Sequence, residues 1–153
     1  MLPLIHRLLD LSGAGSTLVE AIRLATLLFF TEFRRLFGVM GVHCQILTRK
    51  LKYFLEESEA GWEGLELLRL WCLAMGGMES EGMERAWYLA AFEREKGDAS
   101  WGDVMGEFKF VVWYEGVHDV MFGEFCAGKE KYVSLDSVGT GSRFGGYRPI
   151  GGP

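Results

Sequence analysis

The sequence predicts an all-α fold, an irregular helical bundle of about five to six helices with a disordered Gly-rich C-terminal tail. Hydrophobic residues make up 49% of the 153 residues and recur at helical spacing through most of the chain. The three prolines, Pro3, Pro149 and Pro153, lie close to the two ends, so the interior lacks the strongest helix breaker. No strand alternation is sustained enough to build a sheet.

The first helix is predicted over residues 17–37. Thr17 and Glu20 have capping-box spacing, in which each side chain satisfies a backbone N–H of the first turn, and Gly38 is expected to end the helix. Its wide apolar stripe predicts a central helix that packs on more than one side. The stripe consists of Leu18, Ile22, Ala25, Leu28, Phe29, Phe33 and Leu36.

The second and third helices are predicted over residues 42–57 and 62–75. The apolar residues of the second are Ile46, Leu47, Leu51, Phe54 and Leu55. Those of the third are Leu65, Leu68, Trp71, Cys72 and Met75, and Gly76-Gly77 is expected to stop it.

The fourth helix is predicted over residues 81–96, with Gly97 ending it. Its predicted apolar face consists of Met83, Ala86, Leu89 and Ala90, with Phe92 at the edge. A fifth helix over residues 101–113 has Ser100 as its expected N-cap and Asp103 in its first turn. A short sixth helix is predicted over residues 117–125.

Residues 108–114, FKFVVWY, leave two interpretations open. Their β-branched and aromatic content favours a strand, whereas their context favours a buried helix. The helix is the preferred interpretation, because a lone strand would have no partner.

The chain divides into a helical domain over residues 1–127 and a flexible tail over residues 128–153. Glycines crowd the tail after Gly139 among Ser, Thr and single aromatic residues. Such a composition buries too little surface to offset the entropy lost on ordering the backbone, so we expect the tail to be disordered.

Net charge is −5 and is unevenly distributed. Residues 1–126 hold 12 Lys/Arg against 19 Asp/Glu, and residues 127–153 hold four against two. Nucleic-acid affinity depends largely on phosphate neutralisation, so we expect no direct, specific DNA binding by this chain.

Three cysteines, Cys44, Cys72 and Cys126, are widely spaced and form no C-x-x-C pair, which is typical of reduced thiols in an intracellular protein. The longest mostly apolar run, residues 24–30, is far below the ~20 residues of a membrane span, so no membrane association is expected. His6, Arg7 and Asp10 interrupt the N-terminal segment, which therefore does not resemble a signal peptide.

Candidate sites are weak, and we predict no catalytic residue, no cofactor site and no metal site. His43, Cys44, His118 and Cys126 lack the short local spacing that pre-positions zinc ligands. A Cys44–histidine–Asp119 trio has no nucleophile signature around its cysteine. The segment GAGS before the first helix lacks the Gly-Lys-Ser/Thr ending of a phosphate loop.

The remaining conspicuous residues fit structural roles. The five tryptophans, at positions 62, 71, 87, 101 and 113, are predicted core anchors, with Trp62 or Trp101 the candidates for exposure. A small basic cluster of Arg34, Arg35, Arg49, Lys50 and Lys52 is expected to be solvated or to meet an acidic partner.

Five stretches in order resemble the C-terminal part of fungal-specific transcription factor regulatory domains, the helical region that follows a zinc binuclear cluster. They are EAIRLATLLFFTEFRRLFGV (20–39), HCQILTRKL (43–51), LLRLWCLAMGGMES (67–80), ERAWYLAAF (84–92) and SWGDVMGEFKFVVWYEGVHD (100–119). The resemblance covers roughly residues 18–125. Its distinctive part is the order of Trp, Met-Gly-Gly and Arg-x-Trp.

The resemblance implies a non-catalytic regulatory domain that acts through protein or effector contacts, and a nuclear location. The six paired cysteines of the family's DNA-binding module have no counterpart in this chain, which resembles a fragment or a short relative of a larger regulator. Its partners would then be other proteins or the remainder of that regulator. The alternative hypothesis is a stand-alone helical interaction or scaffold domain with no transcriptional role.

Overall fold

A computed structural model describes residues 16–37, 44–58 and 61–128. These residues form six helices: α1 (Thr17–Leu36), α2 (Gln45–Glu57), α3 (Glu66–Glu79), α4 (Gly82–Lys96), α5 (Trp101–Val111) and α6 (His118–Cys126). No strand occurs in these three ranges, so the all-α prediction is confirmed. Apart from Gly128, the predicted tail lies outside the described residues, as do Gly38 and His43.

Helix α3 is the centre of the bundle and contacts each of the other five helices. Trp71 and every residue from there to Glu79 are buried. The prediction that the first helix would be the central one is therefore wrong. Helix α1 does pack on more than one side, as predicted: it contacts both α2 and α3, and its buried residues extend from Arg23 and Leu27 round to Phe29.

Gly76 and Gly77 lie inside α3, which continues to Glu79, so the prediction that they stop the helix is wrong. A Cβ atom on Gly76 would fall within 3.0 Å of the Tyr88 ring, and one on Gly77 would overlap the Phe125 ring. The two glycines therefore let α4 and α6 approach the backbone of α3 closely. Their role is packing rather than termination.

The buried face of α4 differs from the predicted one. Arg85, Tyr88, Ala91 and Phe92 are buried, whereas Met83 is 92% exposed. Tyr88 can be fully buried because its hydroxyl donates a hydrogen bond of 2.7 Å to the carbonyl oxygen of Thr48 in α2. Hydrophobicity alone favours burial of Met83 over burial of Tyr88, so the predicted buried face of α4 is wrong.

Two helix starts test the predicted caps. Helix α5 has the predicted N-cap: Asp103 N donates to Ser100 Oγ at 3.1 Å, and Ser100 N donates to an Asp103 carboxylate oxygen at 3.3 Å. Helix α1 begins at Thr17, so its N-cap position is Ser16, one residue before the predicted one. The Glu20 carboxylate pairs with Arg23 one turn later.

The ambiguous segment 108–114 contains the end of α5. The helix continues to Val111, and Val112 is extended with φ −155° and ψ 109°. The Val112 carbonyl oxygen accepts a hydrogen bond of 3.0 Å from Trp71 Nε1 in α3. The helical interpretation is thus confirmed for residues 108–111 and wrong for the three that follow.

Aromatic rings fill the space between α4, α5 and α6. Phe92 stacks on Trp101 with ring centroids 5.1 Å apart, and it makes edge contacts with Phe108, Phe122 and Phe125. All five tryptophans belong to the core or pack against it, as predicted. Trp62 was one of the two tryptophans predicted as candidates for exposure, but it is only 3% exposed, so that prediction is wrong for Trp62.

Candidate functional site

A pocket of about 200 Å³ lies between the C-terminal end of α2, the start of α3 and the C-terminal half of α4. We call it the α2–α3–α4 pocket. Its lining combines cationic, acidic and apolar side chains. The lining residues are Leu55, Glu56, Arg69, Leu73, Trp87, Ala91 and Arg94.

One wall of the pocket is an ion-pair network that joins α3 to α4. Arg69 is 8% exposed, and its Nη2 lies 3.3 Å from Glu95 Oε1. The same carboxylate oxygen lies 3.5 Å from Nη2 of Arg94, whose side chain is largely exposed. Glu95 therefore bridges two guanidinium groups, one buried and one at the rim.

Trp87 of α4 also lines the pocket, and Lys52 of α2 lies against the Trp87 ring. Lys52 Nζ lies 4.8 Å from the centroid of the Trp87 ring, a cation–π contact, and 4.0 Å from Glu56 Oε1. Leu55, Leu73 and Ala91 complete the lining but are almost fully buried, so they expose little surface to the pocket. The charged residues of the lining are two cations, Arg69 and Arg94, and one carboxylate, Glu56.

Of the cations in or beside the pocket, only Lys52 belonged to the predicted basic cluster. Arg49 and Lys50 of that cluster are exposed elsewhere on α2. Arg69 lies within the apolar run ELLRLWCL, where a buried cation needs a partner. That position in the sequence could have indicated Arg69 as a partly buried, paired residue. Arg94 had no distinguishing signal.

A second cavity, of about 110 Å³, lies where the described residues end at Gly128. Gly82, Arg85, Ala86 and Leu89 complete its lining. It has half the volume of the α2–α3–α4 pocket and a single charged lining residue. It is therefore the weaker candidate.

The histidine considered as a metal ligand has a packing role. His118 is fully buried and its ring stacks on Phe29 with centroids 4.6 Å apart. Tyr114 N donates to His118 Nδ1 at 3.1 Å. Burial lowers the pKa of His118, while the Tyr114 backbone and the neighbouring Asp119 carboxylate act in the opposite direction.

The cysteines share no site with that histidine in the part of the chain that the structure describes, where no three His, Cys, Asp or Glu residues group to hold a metal. Burial raises the pKa of Cys126 to about 12 and that of Cys72 further still. Both thiols therefore remain protonated and weakly nucleophilic at neutral pH. Cys44 is buried in the core.

Among the described helices, none is long and apolar enough to cross a membrane. Comparison with protein-family models, with curated proteins and with solved structures finds no match to this chain.

Proposed function

We propose that this chain is a non-catalytic helical regulatory domain of the kind found in fungal transcription-factor-like proteins. It acts through protein or effector contacts, in the nucleus, and does not itself bind DNA specifically. The α2–α3–α4 pocket is its candidate effector site.

One observation supports the proposal. Trp71, Gly76 and Gly77 belong to the most distinctive part of the resemblance, and all three make contacts between helices. Gly76 and Gly77, from the Met-Gly-Gly stretch, pack against Tyr88 of the next stretch and against Phe125. Trp71 of the same stretch donates a hydrogen bond to Val112 of the last one. These contacts join three of the five stretches, which supports treating them as parts of one domain.

A reporter assay tests the regulatory role. The full chain is fused to an unrelated DNA-binding domain in a fungal host, and transcription from a promoter carrying its target site is measured. We expect transcription to differ from that given by the DNA-binding domain alone at equal protein level. A Gly77→Leu fusion, in which the side chain collides with Phe125, should lose the effect. An unchanged reporter with a folded, expressed fusion would exclude the role.

The second candidate function is a stand-alone interaction or scaffold domain, favoured by apolar residues exposed at the end of α5. Phe110 is 85% exposed, and Val112 and Tyr114 are about half exposed. Apolar side chains that are exposed close together are a feature of protein contact surfaces. A zinc-cluster cysteine pattern encoded upstream in the same reading frame would favour the regulatory role over this one.

A further inference from the structure

We propose that copies of this chain associate through two exposed helix faces of opposite charge, the basic face of α2 in one copy against the acidic face of α5 in another. The basic face of α2 consists of Ile46, Arg49, Lys50 and Tyr53. The acidic face of α5 consists of Asp103, Glu107 and Phe110. This self-association goes beyond the regulatory role proposed above and does not depend on it.

The basic face of α2 combines two cations with two apolar side chains. Its residues follow the first of them by three, four and seven positions, so all four lie on one side of the helix. Ile46 is 66% exposed and Tyr53 is 55% exposed, and the two cations between them are also exposed. Helices that dock on a partner use anchors at this same spacing.

The two cations of this face have no acidic neighbour on the helix. No Asp or Glu lies three or four positions from Arg49 or from Lys50, the spacings at which helical side chains pair. Lys52, in contrast, has Glu56 one turn later. Within the part of the chain that the structure describes, no salt bridge involves Arg49 or Lys50. Two positive charges are therefore left for a contact outside the chain.

The acidic face of α5 has the opposite charge and the same helical spacing. Glu107 and Phe110 follow Asp103 by four and seven positions, and all three are exposed. No Lys or Arg lies three or four positions from Glu107, and the nearby Lys109 is paired with Glu115. Phe110, at 85% exposure, is the apolar anchor of this face.

The two faces are complementary in charge and in apolar content. A contact between them would place the carboxylates of α5 opposite Arg49 and Lys50, and the Phe110 ring against Ile46 or Tyr53. Both halves of the contact therefore lie on this chain, and a second copy supplies what each face lacks. A contact limited to two helix faces is small, so we expect association in the micromolar range or weaker.

Analytical ultracentrifugation of the full chain tests for the association. We expect the weight-average mass to rise above that of the monomer between about 5 and about 500 µM protein, the range in which a contact of this size forms. Raising the salt to about 0.5 M should weaken the association, since the charges are exposed and salt screens them. A protein that stays monomeric throughout would mean that something other than a second copy covers these faces, and would overturn the proposal.

Three charge reversals locate the contact. Arg49→Glu and Glu107→Arg each place like charges opposite one another and should weaken self-association by at least about tenfold. Arg94→Glu reverses an exposed cation of α4 outside both faces and is the matched control, which should leave the association unchanged. Equal weakening by Arg49→Glu and Arg94→Glu would mean that only net charge matters, and would overturn the assignment of the faces.

Mixing the two interface variants gives the most direct test. Arg49→Glu keeps a native acidic face on α5, and Glu107→Arg keeps a native basic face on α2. The mixture should therefore associate although neither variant does so alone, which also shows that both are folded. A mixture that remains monomeric would overturn the pairing of these two faces. The reporter assay does not depend on these measurements, so failure of the association is distinguishable from failure of the regulatory role.

Discussion

Gly76 and Gly77 have opposite effects on α3 as an isolated helix and on the packed protein. Glycine lowers helix propensity by about 1 kcal/mol relative to alanine, so each would be unfavourable in an isolated helix. In the bundle, however, the missing Cβ atoms are what allow Tyr88 and Phe125 to contact the α3 backbone. Packing therefore outweighs propensity at these two positions.

We expect Gly77→Ala to lower the free energy of unfolding by about 1–3 kcal/mol, because the new methyl group overlaps the Phe125 ring. Urea denaturation measures the change. Gly106→Ala in α5 is the matched control, since nothing lies within 4 Å of its Cβ position. That variant should gain about 0.5–1 kcal/mol. Stabilisation by both substitutions would contradict the packing role of Gly77.

His118 makes stability depend on pH. Its folded-state pKa lies below the ordinary value of 6.5, chiefly because of burial. As pH falls through that value, the unfolded chain takes up a proton that the folded chain resists, so the free energy of unfolding decreases. The stabilisation is complete above the unfolded pKa and is lost on acidification.

We expect the wild-type protein to lose more stability than His118→Asn when pH is lowered from about 7.5 to about 5.5, the range in which histidine titrates. Asparagine does not titrate, and its side-chain oxygen can accept from Tyr114 N as the imidazole does. Urea midpoints of both proteins across this range provide the measurement. Parallel pH profiles would show that His118 is not the responsible group.

At the scale of single elements, the start of α5 shows how much of a helix is fixed locally. Ser100 and Asp103 form a reciprocal capping box with no contribution from other helices. Residues three apart in sequence are sufficient to form it, which is why the pattern predicted it.

Ser100→Ala should therefore cost about 1 kcal/mol of stability, measured as a shift in the urea midpoint at unchanged slope. Ser16→Ala at the start of α1 is the comparison, because Ser16 Oγ lies 3.5 Å from Val19 N, at the long limit of a hydrogen bond. Its cost should be smaller. An equal or larger cost for Ser16→Ala would contradict the ranking of the two caps.

At the scale of the whole molecule, charge distribution bears on nucleic-acid binding. The chain carries −5 overall, and one residue of its basic cluster, Lys52, is engaged by Trp87 and Glu56. A protein that reads bases needs several basic or polar side chains on one element that enters a groove.

We expect the full chain to select no sequence motif from a random duplex pool in an electrophoretic mobility shift assay at near-physiological salt. Any attachment should be weak and should disappear as salt is raised, since it would depend on a few phosphate contacts. Recovery of an enriched motif bound with submicromolar affinity would overturn the proposal that the chain is a regulatory unit without its own DNA reader.

The sequence by itself determined the all-α class, the order of six helices and the ends of several of them. Helical periodicity, the Ser100 cap and the Gly97 end depend on residues within a few positions of one another, so they are encoded locally. Predictions that use only neighbouring residues miss the extended conformation after Val111. Their conformation is stabilised by Trp71, 41 residues earlier in the chain.

Only the tertiary structure decided which helix is central, which face of α4 is buried, why Gly76 and Gly77 are present, and where a pocket lies. Tyr88 can be buried because its hydroxyl donates a hydrogen bond to the carbonyl oxygen of Thr48, 40 residues earlier in the chain. The α2–α3–α4 pocket likewise brings together Glu56, Arg69 and Arg94, which no local spacing relates. Such contacts depend on how the helices pack against one another, which hydrophobicity along the chain does not specify.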